Sequence, residues 1–470
     1  MAHQENLVKI AQEGFTMVEE FYSRSRSRPE RLLHENSVQK TYPAWRSFAA
    51  PKTIDTYQAA KKYGGIVVLD GRRKYCIAST VLFLILCSAL VSCHAAGGRA
   101  GRAVVTTFNV LRYGAKPGSK QESTQAFVKA WRAACDFDRE ARILIPPGVY
   151  KLGETIFQGP CKSQTPITIL LQGTLQAVSD ISAYPDKGWI SFDEVNGLLL
   201  TGGGTIDGKG QDVWKYDDCK TNPACTHLAS SIYMTKVRNA KVKSIHLINS
   251  MGFHMHITNS YLVRFHSLKI TSEDGPNTDG MHISKSNTVK ISRSIFRTGD
   301  DCISIGQGSS NVTINQVTCG PGHGISVGSL GKRENELDVQ GLIVKNCTLV
   351  GTTNGVRIKT FPASGPSKAS GLLFKDIIMQ NVKNPIIIDQ NYGSDSTKPS
   401  LVKISDVVYQ NIRGTTISPV AVNLQCSSQV PCKNIQFHNI NLRHISNERV
   451  SSTCTNAVVQ HTGLQSPLAC

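Results

Sequence analysis

From about Val195 onward the apolar residues fall into short runs, each closed by a turn rich in Gly, Asn or Ser. VKISRSIF (289–296) and LIVKNCTL (342–349) alternate apolar with polar positions, the period of two expected of strands with one face turned inward. The runs recur in similar units, among them NAKVKSIHLINSMGFHMHI, YLVRFHSLKITSEDGPNTDGMHI, NTVKISRSIFRTGDDCISI and SSNVTINQVTCGPGHGISV. Each unit reads as a run, a turn, a second run and another turn, with a period of roughly 20–30 residues, the range of solenoids. Strands at the same place in successive units then stack in parallel. This predicts an all-β fold, a right-handed parallel β-helix built coil on coil. The leucine pattern of the rival solenoid, the leucine-rich repeat, is absent. One stretch ahead of the coils, 123–135, has helical spacing in Thr124, Phe127, Val128 and Trp131. It is predicted to cap the N-terminal end of the stack and cover the open core.

The front of the chain follows another pattern. A basic cluster (Arg72, Arg73, Lys74) precedes an apolar run from Ile77 to Val91, and small residues follow at Ser92, Cys93, Ala95 and Ala96. That is the layout of a secretory signal peptide, and the run is shorter than the ~20 residues of a comfortable membrane span. It starts only after a basic, polar stretch containing SRSRSR. Three readings fit: a mis-joined upstream exon, a genuine extension that makes the run an uncleaved signal anchor, or an internal start at or after Met17. We favour the first. The expected division is 1–75 as an extension with no fold assigned, 76–96 as the signal-like segment, and 97–470 as the parallel β-helix domain. The main body is then secreted, with no membrane contact unless the segment stays as an anchor.

Composition adds two points. The chain has 470 residues with 40% hydrophobic and 18% charged, a globular balance and not a disordered one. Its formal net charge is +18, of which residues 1–96 supply +5, so the main body itself is basic and suits a polyanionic partner. Zinc-finger spacing, RRM-type aromatic motifs and a basic helix are all missing, which argues against nucleic acid. An acidic polysaccharide fits. Of fourteen Cys, eleven follow the signal-like segment. In an exported protein the close pairs Cys219/Cys225, Cys302/Cys319, Cys426/Cys432 and Cys454/Cys470 read as disulfides. Eleven is odd, and Cys347, inside an apolar run, is the candidate free thiol.

The coil period brings particular polar residues together. Asp279, in Asn277-Thr278-Asp279-Gly280, is followed 21 and 22 residues later by Asp300 and Asp301, and His323 comes 22 residues after Asp301. Adjacent coils lie one strand spacing apart, ~4.7–4.9 Å, so these residues form a ladder on one surface. One coil further, past an insertion at GKRENELD, Arg357 and Lys359 share a strand face at i, i+2. Close carboxylates drive their proton affinities apart, leaving one as acid and another as base, which is what glycosidic hydrolysis needs. The Arg/Lys pair suits a substrate carboxylate. Taken singly, each residue is more simply a turn or strand residue; the shared register is what raises them. Asp300 and Asp301 both reach the cleft only if the backbone bends, which Gly299 permits. Gly-rich GGGTIDGKG (202–210) opens no helix and reads as a turn between coils. His254 and His256 have no third ligand and read as packed strand residues. Asn311-Val312-Thr313 and Asn346-Cys347-Thr348 are glycosylation sequons, the second placed within a strand.

These four motifs, Asn277-Thr278-Asp279, Gly299-Asp300-Asp301, Gly322-His323-Gly324 and Arg357-Ile358-Lys359, resemble in order and spacing those of the family 28 glycoside hydrolases, the polygalacturonases. The similarity runs from about Phe108 to Cys470, and strings such as QTPITILLQGTLQA and TNGVRIKT resemble plant members. The resemblance implies hydrolysis of α-1,4 bonds between galacturonate units of pectin, with inversion, without metal or other cofactor, by a monomer. It makes Asp300 the general acid, Asp279 and Asp301 the residues that activate water, and His323 a support for the acid. Arg357 and Lys359 bind the galacturonate carboxylate, and Tyr392 and Asn277 line the cleft. The ladder spacing is shorter than the ~6.5–9.5 Å usual between inverting carboxyls; we follow the family. Plant members commonly carry a Cys where this chain has Gly393, so a local disulfide beside the cleft is missing. Segments 189–225 look most like the exo-acting, pollen-type branch. The alternatives are an endo-acting enzyme, a pectate lyase, and a wall-binding protein without activity.

Overall fold

The computed structural model describes residues 105–470, apart from 219–221, 223, 224, 226, 227, 273, 274, 394 and 395, together with the backbone of 66–70 and 73–77. Contacts divide the chain into two units, Met1–Arg99 and Ala100–Cys470. In the first, strand Ile66–Asp70 pairs antiparallel with Arg73–Ile77. Residues 78–96, which hold most of the signal-like run and its cleavage region, lie outside the described residues. Among the described residues no helix is long and apolar enough to cross a membrane.

The second unit is a parallel β-helix. Eleven strands, from Thr155–Gln158 to Ser451–Thr455, stack in chain order as one parallel sheet. The other runs form a 19-stranded sheet around the same core. Each middle coil has three runs and not two. Met255–Thr258 lies in the eleven-strand sheet, then Tyr261–His266 and Lys269–Thr271 in the other, and the chain returns as Met281–Ser284. The extra turn is a single residue in the left-handed region. Ser244, Ser267, Arg293, Gln316, Asn346, Asp376, Asn411 and Asn439 all have φ between 48° and 57°, at equivalent places in successive coils. A one-residue corner needs no loop, so it leaves the apolar rhythm almost unbroken. That is why VKISRSIF looks like one straight strand although it turns at Arg293. Asn346 also occupies such a corner, not a strand interior, and its Nδ2 donates to Asn315 at 2.9 Å.

Inward positions stack into columns such as Ile257, Ile283, Ile305, Val327 and Ile358, each 0% exposed. The N-terminal end is closed by the helix Thr124–Cys135, which buries Phe127, Ala130 and Trp131. Trp131 packs on Phe157 (5.0 Å between centroids) and donates its indole N–H to the Gln158 carbonyl. Val128 is half-buried at the margin of that face. Disulfides join Cys135–Cys161, Cys302–Cys319, Cys426–Cys432 and Cys454–Cys470. Cys225 is also disulfide-bonded, while Cys219 lies outside the described residues. Cys347 is free and buried.

Candidate active site

Three consecutive strands of the eleven-strand sheet begin at Met281, Ile303 and Ile325, which pair across the coils. Asp279, Asp301 and His323 each stand two residues ahead of one of these positions, so the structure places them in one register. The next outward column runs His256, His282, Ser304, Ser326 and Arg357. The two columns bond to each other. Ser304 Oγ donates to Asp279 Oδ2 at 2.7 Å, and Ser326 Oγ donates to Asp301 Oδ1 at 2.8 Å. Each serine has used its only proton, so its own oxygen accepts from a neighbouring coil, the preceding one for Ser304 and the following one for Ser326. His282 Nδ1 lies 2.8 Å from Ser304 Oγ and must carry the hydrogen, and Arg357 Nε donates to Ser326 Oγ at 3.0 Å. His282, Ser304 and Ser326 were not singled out in the sequence, though each stands three residues after Asp279, Asp301 or His323.

Asp301 is the most enclosed of the three acids. Its carboxylate accepts from Arg357 Nη2 at 2.7 Å and Lys359 Nζ at 2.8 Å, with its side chain 1% exposed. Burial alone would lower the Lys359 proton affinity, but the Asp301 carboxylate, together with Tyr392 and Asp279, outweighs it and the net shift is upward. Tyr392 caps these cations, its ring centroid 4.9 Å from Lys359 Nζ and 5.7 Å from Arg357 Cζ. Asp300 faces differently. The chain bends at Gly299 and Asp300, and Gly299 is needed for close approach: a Cβ there would sit 2.4 Å from the Gly275 carbonyl oxygen. The Asp300 side chain stays 25% exposed, and its Oδ1 accepts from His323 Nδ1 at 2.8 Å and from the Asp301 N–H at 2.7 Å. His323 is held there by Gly322 (φ 144°) and Gly324 (φ 91°), conformations that side chains rarely adopt. Asn277 sits apart from the cluster, donating to Asp217 Oδ2 at 2.6 Å.

The environments split the carboxyls. Burial, followed by the charges of Asp300 and Asp301, pushes the Asp279 carboxyl well above its ordinary range. Burial also pushes Asp300 upward, but the hydrogen bond and charge of His323, with the Lys359 charge and the Asp301 N–H, together outweigh it and hold Asp300 below the usual value. Of the two, Asp279 therefore has the stronger hold on a proton. Asp300, Asp301 and His323 offer ligand atoms within 4.8 Å of one another. They suit a metal ion poorly, because Arg357 and Lys359 already engage both Asp301 oxygens and would repel a second cation.

Beside the acids lies a groove of about 490 Å³ lined by Asn277, His282, Tyr233, Phe253 and His256. Lys187, Lys285, Lys332 and Arg333 also line it, as do Asp217 and Leu228 from the loop between strands Thr205–Asp207 and Ser230–Thr235. His254 and His256 do not converge. His254 Nδ1 meets the Asp279 carbonyl at 3.1 Å, whereas the His256 ring packs between Tyr233 and His282. Loss of water lowers fully buried His254 and half-buried His256 and His282, His254 and His282 to about 4 and His256 to about 3. A group depressed in the fold favours the folded state above its unfolded value, about 6.5, and that stability is lost as pH falls toward the folded value. Asp300, held low, acts in the same sense at lower pH, and Asp279, held high, opposes it. The melting temperature is thus expected to drop by roughly 5 °C or more between about pH 7 and about pH 4.5. Calorimetry across that range checks this; a flat profile would mean that the histidines are charged in the fold.

A parallel β-helix that gathers carboxylates beside an open groove suits the hydrolysis of a glycosidic bond. The chain belongs to the family described as glycosyl hydrolases family 28, whose model matches residues 135–463. It is 43% identical over 368 residues to an exopolygalacturonase of Platanus acerifolia, covering 77% of this chain and 97% of that one. It is 41% identical over 356 residues to an exopolygalacturonase of Oenothera organensis, covering 74% and 98%. Among solved structures, endo-xylogalacturonan hydrolase from Aspergillus tubingensis superposes with a TM-score of 0.67 at 27% identity, covering 77% of this chain and all of that one. An exopolygalacturonase from Thermotoga maritima superposes at 0.66 with 18% identity, covering 77% and 92%, a likeness of fold.

Proposed function

We propose that this chain hydrolyses α-1,4 bonds between galacturonate units of de-esterified pectin, in the cell wall, releasing single residues from the non-reducing end. The observation that carries the reading is the juxtaposition of a split carboxylate set with a cationic groove. Asp279, Asp300 and Asp301 stand beside Arg357 and Lys359, and Lys187, Lys285, Lys332 and Arg333 line the adjoining space. A polymer with one carboxylate per sugar matches that charge. Relatives named exopolygalacturonase support the mode of action.

Asp300 is the general acid in this reading. It is the most open of the three acids, and both its hydrogen bonds use Oδ1, leaving Oδ2 for the leaving oxygen. A bound uronate brings negative charge and displaces water, and both effects raise the proton affinity of Asp300. Asp279 and Asp301 activate the attacking water. Arg357, Lys359 and Tyr392 receive the sugar carboxylate, and Asn277 orients the chain. A second reading has its own support: burial and the neighbouring carboxylates push the Asp279 carboxyl well above its ordinary range, which makes Asp279 the rival acid.

Exo action needs a cleft closed beyond the terminal sugar. The loop carrying Asp217 reaches across to Asn277, two residues from Asp279, and supplies Leu228 to the groove wall. On polygalacturonate the expected outcome is monogalacturonate from the first minutes, slow loss of viscosity, and activity indifferent to chelator. Early oligomers with rapid thinning would establish an endo enzyme. Unsaturated, ultraviolet-absorbing products would establish a lyase.

A further inference from the structure

The groove does not account for the positive charge of the main body. On the 19-stranded sheet, strands Arg238–Lys243, His246–Ile248, Tyr261–His266, Lys269–Thr271 and Asn287–Arg297 carry eight Lys/Arg and no Asp/Glu. Of the neighbouring strands, Asn196–Thr201 and Ser310–Cys319 carry no charge and Thr205–Asp207 carries a single acid, Asp207, so the patch is bounded. Lys241, Arg264 and Lys290 pair in register in three consecutive coils, and all three are exposed. None has an ion pair among the described residues. The residues that follow them in the chain, Val242, Phe265 and Ile291, form the core, so these cations stand on the outer face of the wall. Burial, and then the charges of Arg293, Lys243 and Lys241, lower the proton affinity of His266, a sign of how concentrated the positive field is. Tyr261, 51% exposed, lies in the same strand as Arg264, and a depression of about 450 Å³ lined by Lys241, Arg264, Asn239 and Thr168 adjoins the column, with Glu140 its one acid.

We propose that this column is a second, non-catalytic binding site for an extended acidic polysaccharide, polygalacturonate, which holds the enzyme on its insoluble substrate while the groove works on chain ends. The inference rests on the substrate reading above. Cations repeating at one strand spacing, ~4.8 Å, present a straight row of charge to a linear chain of carboxylates. Uncompensated cations on a solvated face act through the summed field and weaken as salt screens them. A flat row with an exposed aromatic suits a pyranose chain better than a compact anion.

The test uses the full chain with Lys241, Arg264 and Lys290 all changed to Ser. Retention is measured by electrophoresis through gels containing polygalacturonate, with Asp300→Asn added to both proteins so that the gel is not digested. Hydrolysis is measured on trigalacturonate with Asp300 intact. The expected result is a roughly tenfold weaker retention with a shallower salt dependence, and trigalacturonate hydrolysis within about twofold of the parent. Unchanged retention overturns the proposal, as does a parallel loss of trigalacturonate hydrolysis, or equal retention of parent and variant by fully methyl-esterified pectin and polygalacturonate. If the Ser variant melts early, the same positions changed to Gln are read instead. Failure of the parent to cut trigalacturonate would instead overturn the substrate reading.

Discussion

Replacing Asp300 with Asn is expected to lower kcat by about 10²–10⁴-fold, with KM changed by less than about twofold. The substitution keeps the shape of the side chain, so the contacts from His323 and from the Asp301 N–H have an acceptor oxygen still available. What it removes is the transferable proton. A general acid acts on the leaving oxygen only as the bond breaks, so the loss falls on the transition state and not on substrate binding. Asp279→Asn separates the two proton placements. If Asp300 is the acid, Asp279→Asn slows the activation of water but keeps the alkaline limb of the pH–rate profile, which Asp300→Asn abolishes. Near-normal turnover by Asp300→Asn would remove it from the role of acid, and loss of that limb in Asp279→Asn would hand the role to its buried neighbour. Steady-state kinetics on trigalacturonate across pH reads both.

Much of the architecture was legible because a solenoid repeats its own statement. The period of the runs gave stacked coils, and the coil period put Asp279, Asp301 and His323 in one register before any coordinate was known. The finer geometry was hidden by two local effects. One is the single-residue corner. Ser267 and Arg293 turn the chain through φ values of 55° and 48° without glycine or proline, so each coil read as two runs where it has three. The other is the start of the catalytic strands. Pleat alternation puts residues i and i+3 on opposite faces, which would separate Asp301 from Ser304. The strand begins only at Ile303, however, and the irregular backbone before it lets Asp301 reach Ser326 in the outward column that also holds Ser304. The recurring spacing of Asp279 to His282, Asp301 to Ser304 and His323 to Ser326 was present in the sequence, but nothing in alternation alone marks it as a bonded relay. Arg357 and Lys359 were found by their i, i+2 spacing; that both would lean on Asp301 depended on burial, which spacing does not report.

That burial makes Asp301 the site's structural centre, and Asp301→Ala is expected to lower stability by about 3–5 kcal/mol as well as abolish hydrolysis. The carboxylate is 1% exposed and accepts from Arg357, Lys359 and Ser326 at 2.7, 2.8 and 2.8 Å. The cations are themselves only 10% and 8% exposed. Removing the anion leaves two charges with little water to replace it, and it is this uncompensated burial, more than the lost attraction, that is costly. The explanation can be separated from catalysis. Changing Asp301 to Leu together with Arg357→Met and Lys359→Met removes the three charges of this ion pair network while filling similar volume. Apolar replacement of a whole buried ion cluster is often neutral or stabilising, so the triple variant should recover most of the melting temperature that Asp301→Ala loses, yet remain inactive. Thermal unfolding of the parent, the single and the triple variant decides it. A triple variant as unstable as Asp301→Ala would show that the charges are not the source of the loss, and that the carboxylate holds the fold through its geometry with Ser326 and the strands around it.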